Sequence, residues 1–257
     1  MRLTHALVRP PGPTFVNGIT TSGLGPPDVT LALAQHERYC ETLEGLGVSL
    51  VRLPADEKFP DSTFVEDTAI LAAGGAMLTR PGAASRAGEV SSVAAALRDW
   101  FPALARVVEP GTVDGGDVCE AGGHFFIGHS ARTNAAGASQ VATWLIERGL
   151  GATVVDIRPL PSLLHLKTGV SWLGGRRLLA IEDFAGHAVL GAWDVVTVPR
   201  GEDYAANCLL INESVVIARG FPGTAALLRS LGYHLVEVDL SEFQKMDGGA
   251  SCLSLRW

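Results

Sequence analysis

The chain has 257 residues, with 20 Lys and Arg against 27 Asp and Glu, a formal net charge of −7. That length buries about three quarters of the unfolded surface without disulfide staples. The acidic balance lacks the basic footprint that a phosphate backbone requires, which excludes nucleic acid as an expected partner and suits a small cationic ligand.

At the N-terminus, MRLTHALVRPPGPTF is broken by prolines and offers no apolar run of signal-peptide length. Nothing later approaches the ~20 apolar residues of a membrane span. Cys40, Cys119, Cys208 and Cys252 form no C-x-x-C pair, unlike a disulfide framework or a zinc finger. The expectation is a cytoplasmic protein with reduced thiols and no membrane partner. The clearest helix is 28–47, with Asp28 placed to cap it and Gly45 or Gly47 to end it. Val29, Leu33, His36, Cys40 and Leu43 mark its expected apolar face. VSLVRLP follows as a strand, then FVEDTAILAAGGAMLTRPG (64–82) as a polar motif with a strand pair. A helix at 88–101 and the strand ARVVEP complete that unit. The plan returns in VDGGDVCEAGGHFFIGHS (113–130), a helix at 135–150 and TVVDIRPL. It returns again in LHLKTGVSWLGGRRLLAIED (164–183), in YAANCLLINESVVIARGFP (204–222) with a helix at 223–233 and HLVEVDL, and in MDGGASCLSLRW (246–257).

Aligned on Asp67, Asp117, Thr168, Asn207 and Ser251, these segments step by 50, 51, 39 and 44 residues. A period in this range, with strands in each unit, points to radial repetition around an axis. The expected fold is an α/β propeller of strand, strand, helix, strand units, one domain over residues 1–257. The polar motif that opens each unit would converge on a central cavity.

Several of these motifs carry chemistry. Cys252 follows a Gly-Gly pair that permits close backbone approach, which suits an exposed thiolate nucleophile. A small buried hydrophobe is the competing reading, and the one adopted for Cys40, Cys119 and Cys208. His165 opens a repeat unit and has the ordinary titration range of an acid–base group; a satisfied core histidine is its alternative. Asp61, Glu66 and Asp67 lie within seven residues beside Phe59, Phe64 and Val65. Turn chemistry accounts for Asp114 in VDGGDV, but less well for three acids among aromatics. Convergent acids suit a guanidinium or ammonium group. Arg86 and Arg132 follow the second strands of adjacent units, where they would clamp a carboxylate or simply be solvated. There is no H-E-x-x-H, Cys/His cluster, phosphate loop or G-x-S-x-G elbow, so no metal and no nucleotide cofactor is expected.

In order, FPDSTFVEDT, RPGAASR, GTVDGGDV, SARTN, LHLKTG, YAANCL and DGGASCLSLRW resemble the dimethylarginine dimethylaminohydrolase family of the pentein, or guanidine-modifying, superfamily. The resemblance covers nearly the whole chain. It implies a five-bladed α/β propeller, the pentein fold, and hydrolysis of asymmetric dimethylarginine and monomethylarginine to citrulline and the methylamine. It implies Cys252 as nucleophile, through a covalent thiouronium, and His165 as general acid and then base. Asp114 would pair with His165; some members carry Glu there, so the shorter Asp makes the reach a question for the structure. Asp67, with Glu66, would bind the guanidinium nitrogens. Asp61, Met246 and the Ile19 carbonyl would contact the rest of the substrate, and Arg86 and Arg132 its α-carboxylate. Ile19 stands where Leu is frequent. The resemblance implies no cofactor, and monomer or homodimer as the assembly. Arginine deiminases carry an extra helical insert for which this chain has no room, and an amidinotransferase fits less well for the same reason. A non-catalytic binding protein on this fold has no need of Cys252, His165 and the acids together.

Overall fold

The computed structural model describes residues 2–257. Alternation of short apolar strands with glycine turns produces fifteen strands in five three-stranded sheets. The chain enters with β1 (His5–Val8), runs through α1 (Val29–Gly45) and returns as β2 (Ser49–Arg52), parallel to β1. The next blade is β3 (Ala69–Ala72), β4 (Gly75–Leu78), α2 (Val90–Leu97) and β5 (Leu104–Arg106). It is followed by β6 (Val118–Ala121), β7 (His124–His129), α3 (Ala135–Ile146) and β8 (Gly151–Asp156). A one-turn helix, α4 (Leu166–Gly169), opens the blade of β9 (Val170–Trp172), β10 (Arg177–Ala180), the short α5 (Glu182–Ala185) and β11 (Asp194–Thr197). Then come β12 (Leu209–Ile211), β13 (Ser214–Ala218), α6 (Pro222–Ser230) and β14 (His234–Val238). Finally β15 (Ser254–Arg256) pairs antiparallel with β1, so the two ends of the chain share one blade and close the ring.

Every blade has the same topology: a middle strand antiparallel to the innermost strand and parallel to the outermost. In the four blades other than that of β1 and β15 a hairpin makes the first connection, and in all five a crossover of a dozen or more residues makes the second, as parallel pairing demands. The hairpins turn tightly: Gly122 and Gly123 join β6 to β7 at φ 59° and 89°, the left-handed region that glycine enters without a Cβ clash. Innermost strands touch across blades, β15 with β3, β6 with β9 and β9 with β12. This is the five-bladed propeller expected from the period. No helix among the described residues is long and apolar enough to cross a membrane.

The α1 face departs from expectation. Asp28 caps it as expected, accepting from the Thr30 and Leu31 amides at 2.8 and 3.1 Å. However, Leu33 is 44% exposed, while Ala32, Gln35 and Tyr39 are buried with His36, Cys40 and Leu43. Polar side chains take the interior because their partners are there. Tyr39 Oη donates to the Ala250 carbonyl at 3.0 Å and lies 2.6 Å from Ser254 Oγ, and Gln35 Nε2 donates to Ser241 Oγ at 2.8 Å.

A short helical turn precedes each innermost strand: Val65–Thr68, Gly115–Asp117, α4, Asp203–Ala206 and Ala250–Leu253. Side chains on these turns bond to the next blade. Asp67 Oδ1 accepts from the Gly116 amide at 2.8 Å, and Asp117 Oδ1 from the Leu166 amide at 3.0 Å. Asn207 Oδ1 accepts from the Ser251 amide at 2.8 Å, and Ser251 Oγ donates to Glu66 Oε2 at 2.6 Å. Thr168 breaks the series by donating back to the His165 carbonyl at 2.6 Å; Ser171 makes that link instead, donating to the Ala206 carbonyl at 2.7 Å. The repeat is thus a belt of polar bonds around the axis, each satisfying a buried group of the neighbouring blade.

Candidate active site

The belt opens on one side into a cavity lined by Ile19, Asp61, Asp67, Arg86, Asp114, Arg132, His165, Met246 and Cys252, with Phe64, Leu164, Asp247 and Gly248 between them. Four turns from four blades deliver its chemistry. Gly116 lets two of them meet: a Cβ there would stand 2.8 Å from His165 Nδ1 and 2.9 Å from Asp67 Oδ1.

Cys252 sits on the Ala250–Leu253 turn, 8% exposed, and its sulfur accepts from the Gly249 amide at 3.4 Å. Burial pushes the thiol up to about 12, reinforced by the carboxylates of Glu66 and Asp67. His165 shows the opposite balance. Burial pulls its pKa down, but Asp67, the hydrogen bond to Asp114 and the charge of Asp117 together raise it to about 9. At neutral pH the resting pair is therefore a neutral thiol beside an imidazolium.

Asp114 reaches His165 despite its short side chain: Oδ2 lies 3.1 Å from Nε2. Its Oδ1 accepts from the Gly82 amide at 2.8 Å, and its own amide donates to Thr133 Oγ1 at 3.1 Å. Asp67 accepts from Arg86 Nη1 at 2.5 Å through Oδ2. Its buried carboxyl is held below the ordinary range, since Arg86, His165 and the Gly116 amide outweigh the burial that raises it. Asp61 accepts from the Ile19 amide at 3.0 Å, and burial raises its carboxyl despite Arg86 nearby.

Two expected substrate contacts are placed differently. Glu66 does not line the cavity: Oε1 takes Lys167 Nζ and Arg256 Nη2, each at 2.7 Å, and Oε2 takes Ser251. It points away from the cavity, toward Lys167, Ser251 and Arg256, because adjacent residues of a helical turn point apart. Arg86 lines the cavity, but its fork is committed to Asp67 and Glu89, with Nη2 to Glu89 Oε2 at 2.8 Å. Its Nη1 orients Asp67 at the cavity wall. Among the described residues the Arg132 guanidinium makes no hydrogen bond or ion pair, so it is the free cation of the cavity.

Asp247 is a cavity residue that sequence reasoning missed. Held at φ 57°, it accepts from the Thr21 amide and hydroxyl at 2.5 and 3.1 Å and fastens the 17–27 loop beside the cavity. Its DG dipeptide was the available signal. Asp67, Asp114 and His165 bring donor atoms within 4.8 Å of one another, a spacing that a metal ion would accept. Their four carboxylate oxygens already serve Gly116, Arg86, Gly82 and His165.

No protein-family model matches the chain. It is 43% identical over 254 residues to the N(G),N(G)-dimethylarginine dimethylaminohydrolase of Pseudomonas aeruginosa, covering 98% of this chain and 99% of that one. A solved structure of the Pseudomonas aeruginosa enzyme, a cysteine-to-serine variant complexed with citrulline, superposes with a TM-score of 0.96 at 42% identity over 100% of both chains. A dimethylarginine dimethylaminohydrolase variant with histidine replaced by glycine, carrying an S-methyl-L-thiocitrulline adduct, gives 0.95 at 42% identity over 99% of this chain and 100% of that one. On its sequence, its fold and this constellation, the chain belongs to the dimethylarginine dimethylaminohydrolase family.

Proposed function

We propose that this protein hydrolyses asymmetric dimethylarginine and monomethylarginine to citrulline, releasing dimethylamine or methylamine. The observation that carries this reading is the convergence of Cys252, His165, Asp114 and Asp67, from four blades, on one cavity with a free Arg132. Citrulline in the related Pseudomonas structure supports the substrate class, as does the thiocitrulline adduct in the second.

A guanidinium carbon is resonance-stabilised and yields only to a strong, soft nucleophile. Asp67 binds the substrate nitrogens and holds that carbon beside Cys252, while Arg132 takes the α-carboxylate. Ile19, Asp61 and Met246 contact the rest of the substrate. Bound substrate brings a positive charge to a thiol whose neighbours are carboxylates; each 1.36 kcal/mol of that attraction lowers the thiol pKa by about one unit. The thiol proton leaves to solvent, and the thiolate forms a bond to the guanidinium carbon. His165 gives its proton to the departing methylated nitrogen as the carbon–nitrogen bond breaks, leaving a thiouronium on Cys252. Water then adds to that carbon, neutral His165 takes its proton, and the sulfur–carbon bond breaks to release citrulline. The remaining hydroxyl proton goes to solvent, which protonates the amine. Asp114 keeps His165 oriented through both steps and stabilises its charged form before the first and after the second.

The four free cysteines support a reducing, cytoplasmic setting, with residues 1–257 as one catalytic domain, monomeric or homodimeric. The test is citrulline release from asymmetric dimethylarginine and from arginine, with Cys252→Ser alongside. Turnover confined to the methylated substrate and lost in the variant is the expected result. Preference for arginine would reassign the reaction to deimination, and no citrulline from either would overturn the reading.

A further inference from the structure

Asp117 is fully buried, lies outside the cavity lining and takes no part in the chemistry above. Its two oxygens nevertheless reach both ends of the site. Oδ1 accepts from the amide of Leu166, the residue after His165, at 3.0 Å. Oδ2 accepts from Ser130 Oγ at 2.6 Å, and the Ser130 hydroxyl oxygen in turn accepts from the amides of Arg132 and Thr133 at 2.9 and 3.0 Å. Thr133 Oγ1 in turn accepts from the Asp114 amide. One carboxylate thus ties together the backbones that carry His165, Arg132 and Asp114.

We propose that Asp117 is the positioning residue that fixes the separation between the proton donor and the α-carboxylate clamp, and so sets the length of substrate the site accepts. The proposal rests on the reading above, in which His165 serves the guanidinium end and Arg132 the carboxylate end. A carboxylate with both oxygens engaged in a dry site has one arrangement, so the two anchors move together or not at all. A substrate one methylene longer or shorter then loses one end when it makes the other. The same carboxylate, with Asp67 and Asp114, faces the His165 ring and favours its charged form.

Two variants separate the arms of the carboxylate. Ser130→Ala cuts the branch to the Arg132 and Thr133 amides and leaves the Leu166 bond in place. It is expected to raise KM about threefold to tenfold with kcat nearly unchanged, and to narrow the preference for methylated arginine over its one-carbon-longer homologue by a similar factor. In a Cys252→Ser background it weakens citrulline binding to the same extent, which needs no turnover. Asp117→Asn affects both branches: the His165 ring, followed by NMR titration, loses about one pH unit, and KM rises as in Ser130→Ala. Unchanged length preference and citrulline affinity in Ser130→Ala would overturn the proposal, even if Asp117→Asn does not fold. So would a His165 titration unmoved in folded Asp117→Asn. Failure of wild-type turnover would sink the functional reading instead, while ring titration and citrulline binding still decide this one.

Discussion

Glu66 and Asp67 are neighbours on one helical turn, equally buried, yet they belong to regions with opposite purposes. Glu66 looks away from the cavity and is saturated, with two cations and a hydroxyl on its two oxygens. Asp67 looks into the cavity, where its ion-pair partner Arg86 is shared with Glu89, and where Asp61 and Asp114 add further negative charge. The Glu66 network is complete as folded. The cavity network is short of positive charge, and a bound guanidinium completes it. Stability and binding are separated by a single peptide bond.

The largest effect that would break this contrast is Asp67→Asn. The amide still accepts from Gly116, and Arg86 keeps Glu89, so the melting temperature is expected to hold within about 2 °C. kcat/KM for asymmetric dimethylarginine should fall about a hundredfold. A large loss of melting temperature would make Asp67 as structural as Glu66. Glu66→Ala is the converse, stranding Lys167 and Arg256 without their anion. It should cost about 3 kcal/mol of stability, a drop of about 6–12 °C in thermal melting, with KM of the folded fraction nearly unchanged. If KM rose sharply instead, Glu66 would have to contact substrate after all.

The pH profile sharpens the electrostatic side. His165 is raised to about 9, so it keeps its proton through neutrality and loses it above that value. Turnover should decline through pH 9, and a rate still level at pH 10 would remove His165 as proton donor. The same shift stabilises the fold fully below about pH 6.5, and that contribution fades as pH rises through about 9. The smallest contrast lies on α1. Tyr39→Phe is expected to cost about 1–2 kcal/mol in urea unfolding, since it abandons the Ala250 carbonyl and Ser254. Leu33→Ala should stay within about 0.5 kcal/mol, and equal costs would contradict the exposure of Leu33.

Leu33 and Tyr39 also show what a sequence conceals. Apolar periodicity located α1 and three residues of its buried face, His36, Cys40 and Leu43, but hydropathy ranks Leu33 inside and cannot register that Tyr39 and Gln35 have partners far along the chain. The motifs around Cys252, Asp114 and His165 were legible because each opens a repeat, two of them beside paired glycines. The pairing of Asp114 with His165 was implied by the family resemblance, but its reach was not legible, since it depends on how closely Gly116 lets the turns approach. Arg86 and Arg132 read alike, each following a second strand. Only the nearby Glu89, the residue immediately before α2, ties one of them down and leaves the other without a protein partner among the described residues. Ser171 likewise took the link expected of Thr168, a choice made by three residues of local winding.

The joint that closes the propeller carries one more implication. Asp67, Asp114 and His165 all precede Cys252, which lies on the turn leading into β15, the strand that seals onto β1. During synthesis from the ribosome, a chain with four blades threaded already holds the acids and the imidazole, but not Cys252. Cys252 takes its place beside the other cavity residues only as the seam is fastened, so assembly of this site waits on completion of the ring.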